Sequence, residues 1–146
     1  MLLFMILNLS QKWEKTQLEK RLRELKKAGI ELTLENIPRI IEEMSFRVKS
    51  KKQQDDCPYY RTEKPCHPEI KELNCFLCAC PQYESFKLEG GCKIKSKLGK
   101  WAYHKHLPAG KVWGCSNCAA YHHPKSVEIY LRKNINKLRE ISSHFL

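Results

Sequence analysis

The chain has 146 residues and a mass of 17.2 kDa, which is room for one domain, or one small domain with helical flanks, and excludes a two-domain enzyme. Charged residues make up 29% of the chain and the mean hydropathy is -0.57, so a membrane-embedded protein is also excluded. Lysine and arginine number 27 against 16 acidic residues, and the formal charge of +11 favours anionic macromolecules as partners.

Residues 1–9 form an apolar run with no lysine or arginine and no small-residue cleavage site after it. The run is not predicted to be a signal peptide, and it is too short to cross a bilayer. We expect an apolar helix or strand end that packs on the rest of the protein; membrane association and a misassigned start codon are the alternatives. We expect a cytoplasmic protein, in which thiols stay reduced, so its eight cysteines need an explanation other than disulfides.

Two short helices are predicted before the first cysteine. Apolar residues recur at helical spacing over residues 10–28, and Gly29 is placed where such a helix would end. A second helix begins at Thr33 and carries Pro38 in its first turn, where a missing N–H costs little. Residues 1–50 are therefore predicted to form a helical hairpin. The apolar positions are Trp13, Leu18, Leu22 and Leu25 in the first helix and Leu34, Ile37, Ile40, Ile41, Met44 and Val48 in the second.

The remaining chain divides into a linker, a cysteine-rich segment and a final helix. Residues 51–56 are polar and predict a linker. Residues 57–123 hold five of the seven prolines and five of the six glycines, which predicts loops, knuckles and short strands that cannot fold unaided. Residues 124–146 predict an amphipathic helix that packs on the core. The expected fold class is α with irregular or small β: a metal-stapled, zinc-ribbon-like module flanked by the helical hairpin and the C-terminal helix.

Motifs of catalysis are scarce. The only two aspartates, Asp55 and Asp56, are adjacent in the linker, so a Mg²⁺ site or an Asp-supported triad has little to be built from. The glycines show neither GxGxxG nor GxxxxGK spacing, which disfavours nucleotide chemistry. A zinc hydrolase would need Glu69 or Glu72 near His67 as its base, and the HExxH motif is absent. We predict no catalytic residues.

The cysteines are the main candidates for chemistry. Two pairs, Cys75–Cys78 and Cys115–Cys118, have Cys-x-x-Cys spacing, which lets two thiolates reach one metal while backbone N–H groups point at the sulfurs. One arrangement places both pairs on one ion, and the sequence leaves open whether they share it. The full set is Cys57, Cys66, Cys75, Cys78, Cys80, Cys92, Cys115 and Cys118.

The other four cysteines are the number that a second site needs. His67, His122 or His123 could replace a cysteine in either site. The spacing of Cys78 and Cys80 is too tight for an ordinary chelate turn, so we predict that they bind different metals. Two zinc ions are expected. An iron–sulfur cluster in a redox protein is the alternative, because closely spaced cysteines and a Cys80-Pro81 step suit such clusters.

Five motifs follow one another in a specific order. They are Cys57-Pro58-Tyr59-Tyr60, Pro65-Cys66-His67, Asn74-Cys75-Phe76-Leu77-Cys78-Ala79-Cys80-Pro81-Gln82-Tyr83, Gly91-Cys92 and Gly114-Cys115-Ser116-Asn117-Cys118-Ala119-Ala120-Tyr121-His122. In this the chain resembles the prokaryotic family called the cysteine-rich small domain, roughly over residues 57–131. The resemblance implies a metal-binding module whose ligands are the cysteines and the histidine after the last Cys-x-x-Cys; it implies no activity. Where the family often has Pro-His, this chain has Tyr121-His122-His123. The sequence leaves open which of the two histidines corresponds to the family's histidine.

A basic stretch overlaps the cysteine-rich segment. No acidic residue lies between Glu89 and Glu128, and lysines there alternate with aromatic residues, a pattern that favours RNA or single-stranded nucleic acid. The alternative is that the lysines offset thiolate charge and the rings form a small core. The candidate nucleic-acid contacts are Lys93, Lys95, Lys97, Lys100, Trp101, Tyr103, Lys105, Lys111 and Trp113.

The sequence as a whole predicts a metal-binding protein with two structural zinc sites. Each site is expected to have four cysteine ligands, or three cysteine ligands and one histidine ligand. The protein is expected to act as an interaction module for nucleic acid or for a protein partner.

Overall fold

A computed structural model describes the backbone of residues 2–145 and the side chains of residues 15–144. This part of the chain is mostly helical, with one two-stranded antiparallel sheet. None of the helices, over the described residues, is long and apolar enough to span a membrane. The elements are α1 (Leu2–Lys27), α2 (Ile37–Glu43), α3 (Phe46–Lys52), β1 (Lys100–Tyr103), β2 (Lys111–Gly114) and α4 (Pro124–Phe145), with 3-10 turns at Leu34–Asn36 and Ala120–His122.

The chain forms two compact units, each discontinuous in sequence. The helical unit contains Glu19–Cys78 and Ala119–Leu146, and the sheet unit contains Met1–Leu18 and Ala79–Cys118. This division leaves four cysteines in each unit. The predicted domain boundaries at residues 50, 56 and 123 stay predictions, although α3 runs to Lys52 and so includes the first residues of the expected linker.

Helix α1 ends as its sequence predicts. Gly29 has a φ of +73°, and the N–H groups of Gly29 and Ile30 donate to carbonyl groups of the last turn. This left-handed cap favours glycine because the conformation strains a residue with a Cβ. The apolar run at the start is helical from Leu2 onward. The expected packing of its side chains, and the side chain of Trp13, lie outside the described residues.

The second predicted helix is two helices, α2 and α3, with a break between them. Ser45 is extended at the break (φ -65°, ψ 149°), and its side chain caps α3 by accepting from the N–H of Val48. Pro38 lies in the first turn of α2, as predicted. The apolar periodicity continues through the break, so local sequence alone predicted one helix where the structure has two.

The break allows the backbone at Ser45 to pair with the segment that precedes the first Cys-x-x-Cys. Ser45 forms an isolated antiparallel bridge with Asn74. Next to it, the N–H of Phe46 donates to the carbonyl of Leu73, and the N–H of Cys75 donates to the carbonyl of Met44, both at 2.8 Å. These tertiary hydrogen bonds replace helical ones, which is the physical reason for the break.

The apolar core belongs to the helical unit. The predicted stripe on α4 is buried at four positions, and α4 packs against α2. Among the side chains described, every buried hydrophobic one lies in this unit. They are Leu22, Leu25, Ile30, Leu32, Ile37, Ile40, Met44, Tyr60, Ile70, Leu73, Cys75, Phe76, Leu77, Val127, Leu131, Ile135 and Leu138.

The sheet unit is held by turns and hydrogen bonds. In its described part, residues 15–18 and 79–118, no hydrophobic side chain is buried. Across the sheet, Trp101 pairs with Trp113. The hydroxyl of Tyr83 donates to the carbonyl of Trp113 at 2.8 Å, and the N–H of Trp113 donates to the carbonyl of Glu89 at 2.7 Å. The described part of this unit therefore shows none of the apolar burial that usually stabilises a fold.

Candidate metal centre

Three possible metal ligands, Cys66, His67 and His122, come together in the helical unit. One ligand atom of each lies within 4.8 Å of those of the other two. Cys66 and His67 lie in the turns between α3 and the first Cys-x-x-Cys, whereas His122 ends the 3-10 turn before α4. The fold thus joins a thiol and two imidazoles that are far apart in sequence, a donor set that zinc and related metals prefer.

The ring of His122 is oriented by Asn74. Its Nδ1 lies 3.2 Å from the backbone carbonyl oxygen of Asn74. Because a carbonyl can only accept, Nδ1 carries the proton, which leaves the lone pair of Nε2 for a metal. Burial lowers the pKa of His122, against the hydrogen bond to Asn74, and the nearby ring of His67 lowers it further. His122 is therefore neutral at pH 7, as a metal ligand must be.

His67 is buried and lies beside His122, with 5.1 Å between the ring centroids. Its Nδ1 is 3.3 Å from the carboxylate of Glu69. The carboxylate thus lies beside Nδ1, and Nε2 is the other ring nitrogen available to a metal. The side chain of Glu69 is 64% exposed, so this His-x-Glu triplet supports a ligand and does not resemble a sequestered catalytic base.

The turn that carries Cys75 is fixed by buried polar groups. Asn74 is fully buried; its side-chain amide donates to the carbonyl of Ile41 at 2.8 Å and accepts from the N–H of Phe76 at 3.0 Å. The carbonyl of Cys75 accepts from Nε of the buried Arg21 at 3.0 Å. These contacts satisfy polar groups in the interior and fix the conformation of the turn.

The four thiols of the helical unit are neighbours of one another. Burial raises the pKa of Cys66, and the thiols of Cys78 and Cys57 raise it further. Burial also raises the pKa of Cys75 to about 11, against a hydrogen bond with Tyr60 that lowers it. Burial raises the pKa of Tyr60 well above its usual value, so its hydroxyl is the donor to the sulfur. A cation among these thiols would favour their thiolate forms. These cysteines, with His67 and His122, form what we call the Cys/His cluster.

Buried positive charge accompanies the Cys/His cluster. Lys49 is 4% exposed, and its Nζ lies 2.8 Å from a carboxylate oxygen of Glu24 and 3.8 Å from one of Asp56. Lys49 also lowers the pKa of Cys75. Together with Arg21, it places two cations where metal-bound thiolates would carry net negative charge.

The other four cysteines share the sheet unit, and we call them the cysteine cluster; no three of their sulfurs lie within 4.8 Å of one another. They are Cys80, Cys92, Cys115 and Cys118. Burial raises the pKa of Cys80, and the thiols of the other three raise it further. Cys115 and Cys118 follow β2 directly, and the N–H of Cys118 donates to the carbonyl of Cys115 at 2.9 Å. The cluster therefore lies at one end of the sheet, in turns and not in helices.

Backbone groups of the sheet unit point at these sulfurs. The N–H of Gln82 donates to Sγ of Cys80, and the N–H of Ser96 donates to Sγ of Cys92, both at 3.4 Å. The hydroxyl of Ser96 lies 3.8 Å from Sγ of Cys118. Hydrogen bonds to sulfur of this kind stabilise the thiolate form that binds metals.

The structure groups the cysteines differently from the arrangement in which both Cys-x-x-Cys pairs share one ion. Cys75–Cys78 lies in the helical unit and Cys115–Cys118 lies in the sheet unit, each with two further cysteines. Cys78 and Cys80 fall in different units, and their binding of different metals stays a prediction. His123 is exposed, so of the two adjacent histidines it is His122 that joins the Cys/His cluster. All eight cysteines are thiols and not disulfides.

The residues of the basic stretch lie on or near the sheet. Trp101 and Tyr103 belong to β1, and Lys111 and Trp113 belong to β2. The Nζ of Lys111 lies 4.2 Å from the centroid of the Trp101 ring. These rings are only partly buried, so they do not form the small core that was the alternative. The exposed lysines are Lys93, Lys95, Lys97, Lys100 and Lys105.

Tyr60, Asn74, Arg21 and Lys49 support the Cys/His cluster without having been predicted. A tyrosine three residues after Cys57 and an asparagine directly before Cys75 were visible in the motifs, but nothing local showed that they are buried. In the sequence, Arg21 and Lys49 look like ordinary charged residues of amphipathic helices. Their burial depends on segments far away in sequence, and a charge in a helical pattern usually indicates an exposed face.

A comparison with protein families matches residues 48–144 to the cysteine-rich small domain. The chain belongs to this family. Comparisons with curated proteins and with solved structures found no match. The family and the cluster of Cys66, His67 and His122 together fit a metal-binding role.

Proposed function

We propose that the protein is a structural zinc protein with one ion in each unit, and that its folded surface serves macromolecular interaction. The observation that carries the proposal is the cluster of Cys66, His67 and His122, whose ligand atoms lie within 4.8 Å of one another. His67 is buried and Cys66 and His122 are partly buried, and one shared cation would satisfy a lone pair of each.

The first ion would be bound by the Cys/His cluster. Cys66, His67 and His122 supply three ligands, and one thiol of the Cys75–Cys78 turn completes a tetrahedral shell. Asn74 keeps His122 in the tautomer that a metal needs, and Tyr60 hydrogen-bonds the sulfur of Cys75. Bound zinc would fix the cluster as a closed site and supply folding energy, with no reaction required of it.

The second ion would be bound by Cys80, Cys92, Cys115 and Cys118. N–H groups directed at Cys80 and Cys92 support this proposal, as does the absence of buried hydrophobic side chains from the described part of the unit. A small fold without an apolar core usually needs a metal or disulfides. The sheet followed directly by Cys115–Cys118 is the zinc-ribbon-like part of this proposal.

The donor chemistry favours zinc over the iron–sulfur alternative. The Cys/His cluster offers neutral, buried imidazole together with thiols, and mixed sulfur and nitrogen shells are typical of structural zinc. Iron–sulfur clusters are usually bound by four thiolates. The cysteine cluster contains four thiols and no histidine, so iron would be expected in the sheet unit.

Elemental analysis of protein purified without oxygen, together with its visible spectrum, tests the proposal. We expect about two zinc ions per chain and no colour. Cys66→Ser and Cys118→Ser should each lower the content to one ion, because each removes a ligand from a different cluster. The matched control is His123→Gln, which changes an exposed neighbour of His122 and should keep both ions.

Each outcome discriminates between the functions. Iron with sulfide and broad visible absorption would overturn the zinc proposal in favour of a redox protein. Metal-free protein with eight reactive thiols would overturn both. Loss of both ions in Cys66→Ser alone would contradict independent sites.

A further inference from the structure

We propose that one face of the β1–β2 sheet binds single-stranded nucleic acid, with bases on its aromatic rings and phosphates on its lysines. This inference rests on the proposed function, because it identifies the partner of the interaction surface. It goes beyond the family membership, which implies metal binding and no partner.

The sheet register places an aromatic, cationic set on one face. Trp101 pairs with Trp113 and Tyr103 pairs with Lys111. Residues two apart on a strand share a face, and paired residues lie on the same face, so all four side chains lie together. The opposite face carries Lys100, whose partner is Gly114.

Contacts within the face fix its rings and leave one of them open. A Cβ at Gly99 would lie 2.1 Å from the Trp113 ring, so that ring rests against the glycine backbone. Trp101 meets Trp113 edge to face, with 5.1 Å between centroids, and the Nζ of Lys111 lies 4.2 Å from the Trp101 centroid. Tyr103 is 73% exposed at the end of this row. A base can therefore stack on Tyr103 beside a positioned ammonium group.

The charge around the face is suited to a polyanion. Residues 79–118 contain seven lysines and two glutamates. One glutamate, Glu84, is paired with Lys87 at 2.7 Å. Lys95 and Lys97 precede β1, and Lys105 follows it, all exposed to solvent. Exposed cations on both sides of a strand can bind the phosphates of a polyanion.

The aromatic row distinguishes a single strand from other anionic partners. Duplex DNA and RNA hide the faces of their bases, so they could use the lysines but not Tyr103. An acidic protein or an anionic membrane would likewise depend on charge alone. A single strand is the partner that uses both components of the face.

The experiment measures fluorescence anisotropy of labelled 20-nucleotide poly-U RNA and poly-dT with the full zinc-loaded chain, over a range of salt concentrations. Tyr103→Ala should weaken binding about tenfold, the loss expected for one stacked base. Replacing Lys95, Lys97 and Lys105 by glutamine should weaken binding and reduce the salt slope by about 2. A labelled duplex, heparin and phosphatidylserine vesicles serve as competing anions.

Each control makes the same kind of substitution at a position outside the sheet unit. Tyr59→Ala removes another tyrosine that is 48% exposed, and glutamine at Lys27, Lys133 and Lys137 removes the same charge from exposed positions of the helical unit. Both controls should bind like wild type. Equal competition by duplex or vesicles, with no effect of Tyr103→Ala, would overturn the inference in favour of a general polyanion surface.

Metal content measured on the same samples separates the two proposals. Protein with two zinc ions and no binding to either oligonucleotide overturns this inference and leaves the proposed function standing. Protein without zinc that still binds through Tyr103 overturns the proposed function alone.

Discussion

The helical unit and the sheet unit hold four cysteines each and differ in what surrounds them. In the helical unit, Cys75 belongs to a buried cluster with Tyr60, Ile70 and Leu73. In the described part of the sheet unit, no hydrophobic side chain is buried. Because apolar burial offsets the entropy of ordering a chain, we expect the folding of the helical unit to depend less on a metal. Cysteine clusters in one chain can thus depend on metal to different degrees.

The largest expected effect follows from Cys118→Ser. Loss of the ion from the cysteine cluster should remove the defined structure of residues 79–118, because metal binding supplies their folding energy. Hydrogen exchange followed by mass spectrometry should show loss of protection there and retained protection in α2 and α4. Ser116→Ala, at an exposed position of the same turn, is the matched control. Unchanged protection in residues 79–118 would show that this unit folds without its metal.

A substitution in the apolar core should destabilise the helical unit more than a substitution in the sheet unit destabilises the protein. Leu131→Ala removes a fully buried side chain of α4 and should lower the free energy of unfolding by about 2–5 kcal/mol. Leu98→Ala, at a position that is 55% exposed in the sheet unit, should change it by no more than about 0.5 kcal/mol. Urea unfolding followed by circular dichroism at 222 nm measures both. A large effect of Leu98→Ala would reveal apolar burial in the sheet unit.

Tyr60→Phe tests the support of the Cys/His cluster. Removing the hydroxyl that bonds to Cys75 should destabilise the helical unit by about 1 kcal/mol and weaken zinc binding by about tenfold. Competition with a chelator of known affinity measures the second effect. Tyr59→Phe is the control, since Tyr59 is exposed and adjacent in sequence. Equal affinities in the two variants would show that the hydroxyl does not act on the metal site.

The smallest expected effect is a difference in acid sensitivity between the clusters. Burial lowers the pKa of His122 below that of the unfolded chain, so the unfolded state binds the proton more readily. The contribution of neutral His122 to stability is present above pH ~6.5 and decreases as the pH falls. Protonation of His122 also competes with zinc, so zinc affinity should decrease over the same range. Thermal melts of wild type and His122→Gln between pH 7.5 and 5 should converge. Parallel curves would show that another group controls the acid response.

Local patterns predicted the ends of the chain better than its middle. The stripe on α4, the proline at its start and the end of α1 near Gly29 are features of a few neighbouring residues, and all are confirmed. The break at Ser45 was missed because backbone hydrogen bonds with Leu73 and Cys75, distant in sequence, determine it. The apolar periodicity of α2 and α3 carries no information about these hydrogen bonds.

The candidate site shows the same limit. The sequence identified every cysteine and the two histidines that the fold brings together, because residue type and spacing carry the chemistry. It did not separate the clusters, since Cys75–Cys78 and Cys115–Cys118 look alike locally. Which further cysteines join each pair depends on the path of the chain. Asn74 lies directly before Cys75 in the sequence motif. The contact of its carbonyl oxygen with Nδ1 of His122 depends on the fold and is not visible in the sequence.

The backbone bridge between Ser45 and Asn74 has a consequence for a chain that meets too little zinc. The bridge fixes the conformation of the Cys75 turn, so binding an ion there costs little ordering entropy. An ion in the cysteine cluster would have to order its ligands as it binds. Under the proposed function, scarce zinc would fill the helical unit first and leave a half-loaded species with an unfolded sheet unit. Stepwise addition of zinc to the metal-free chain, followed by native mass spectrometry and hydrogen exchange, should detect that species. Simultaneous filling of both clusters would contradict this order.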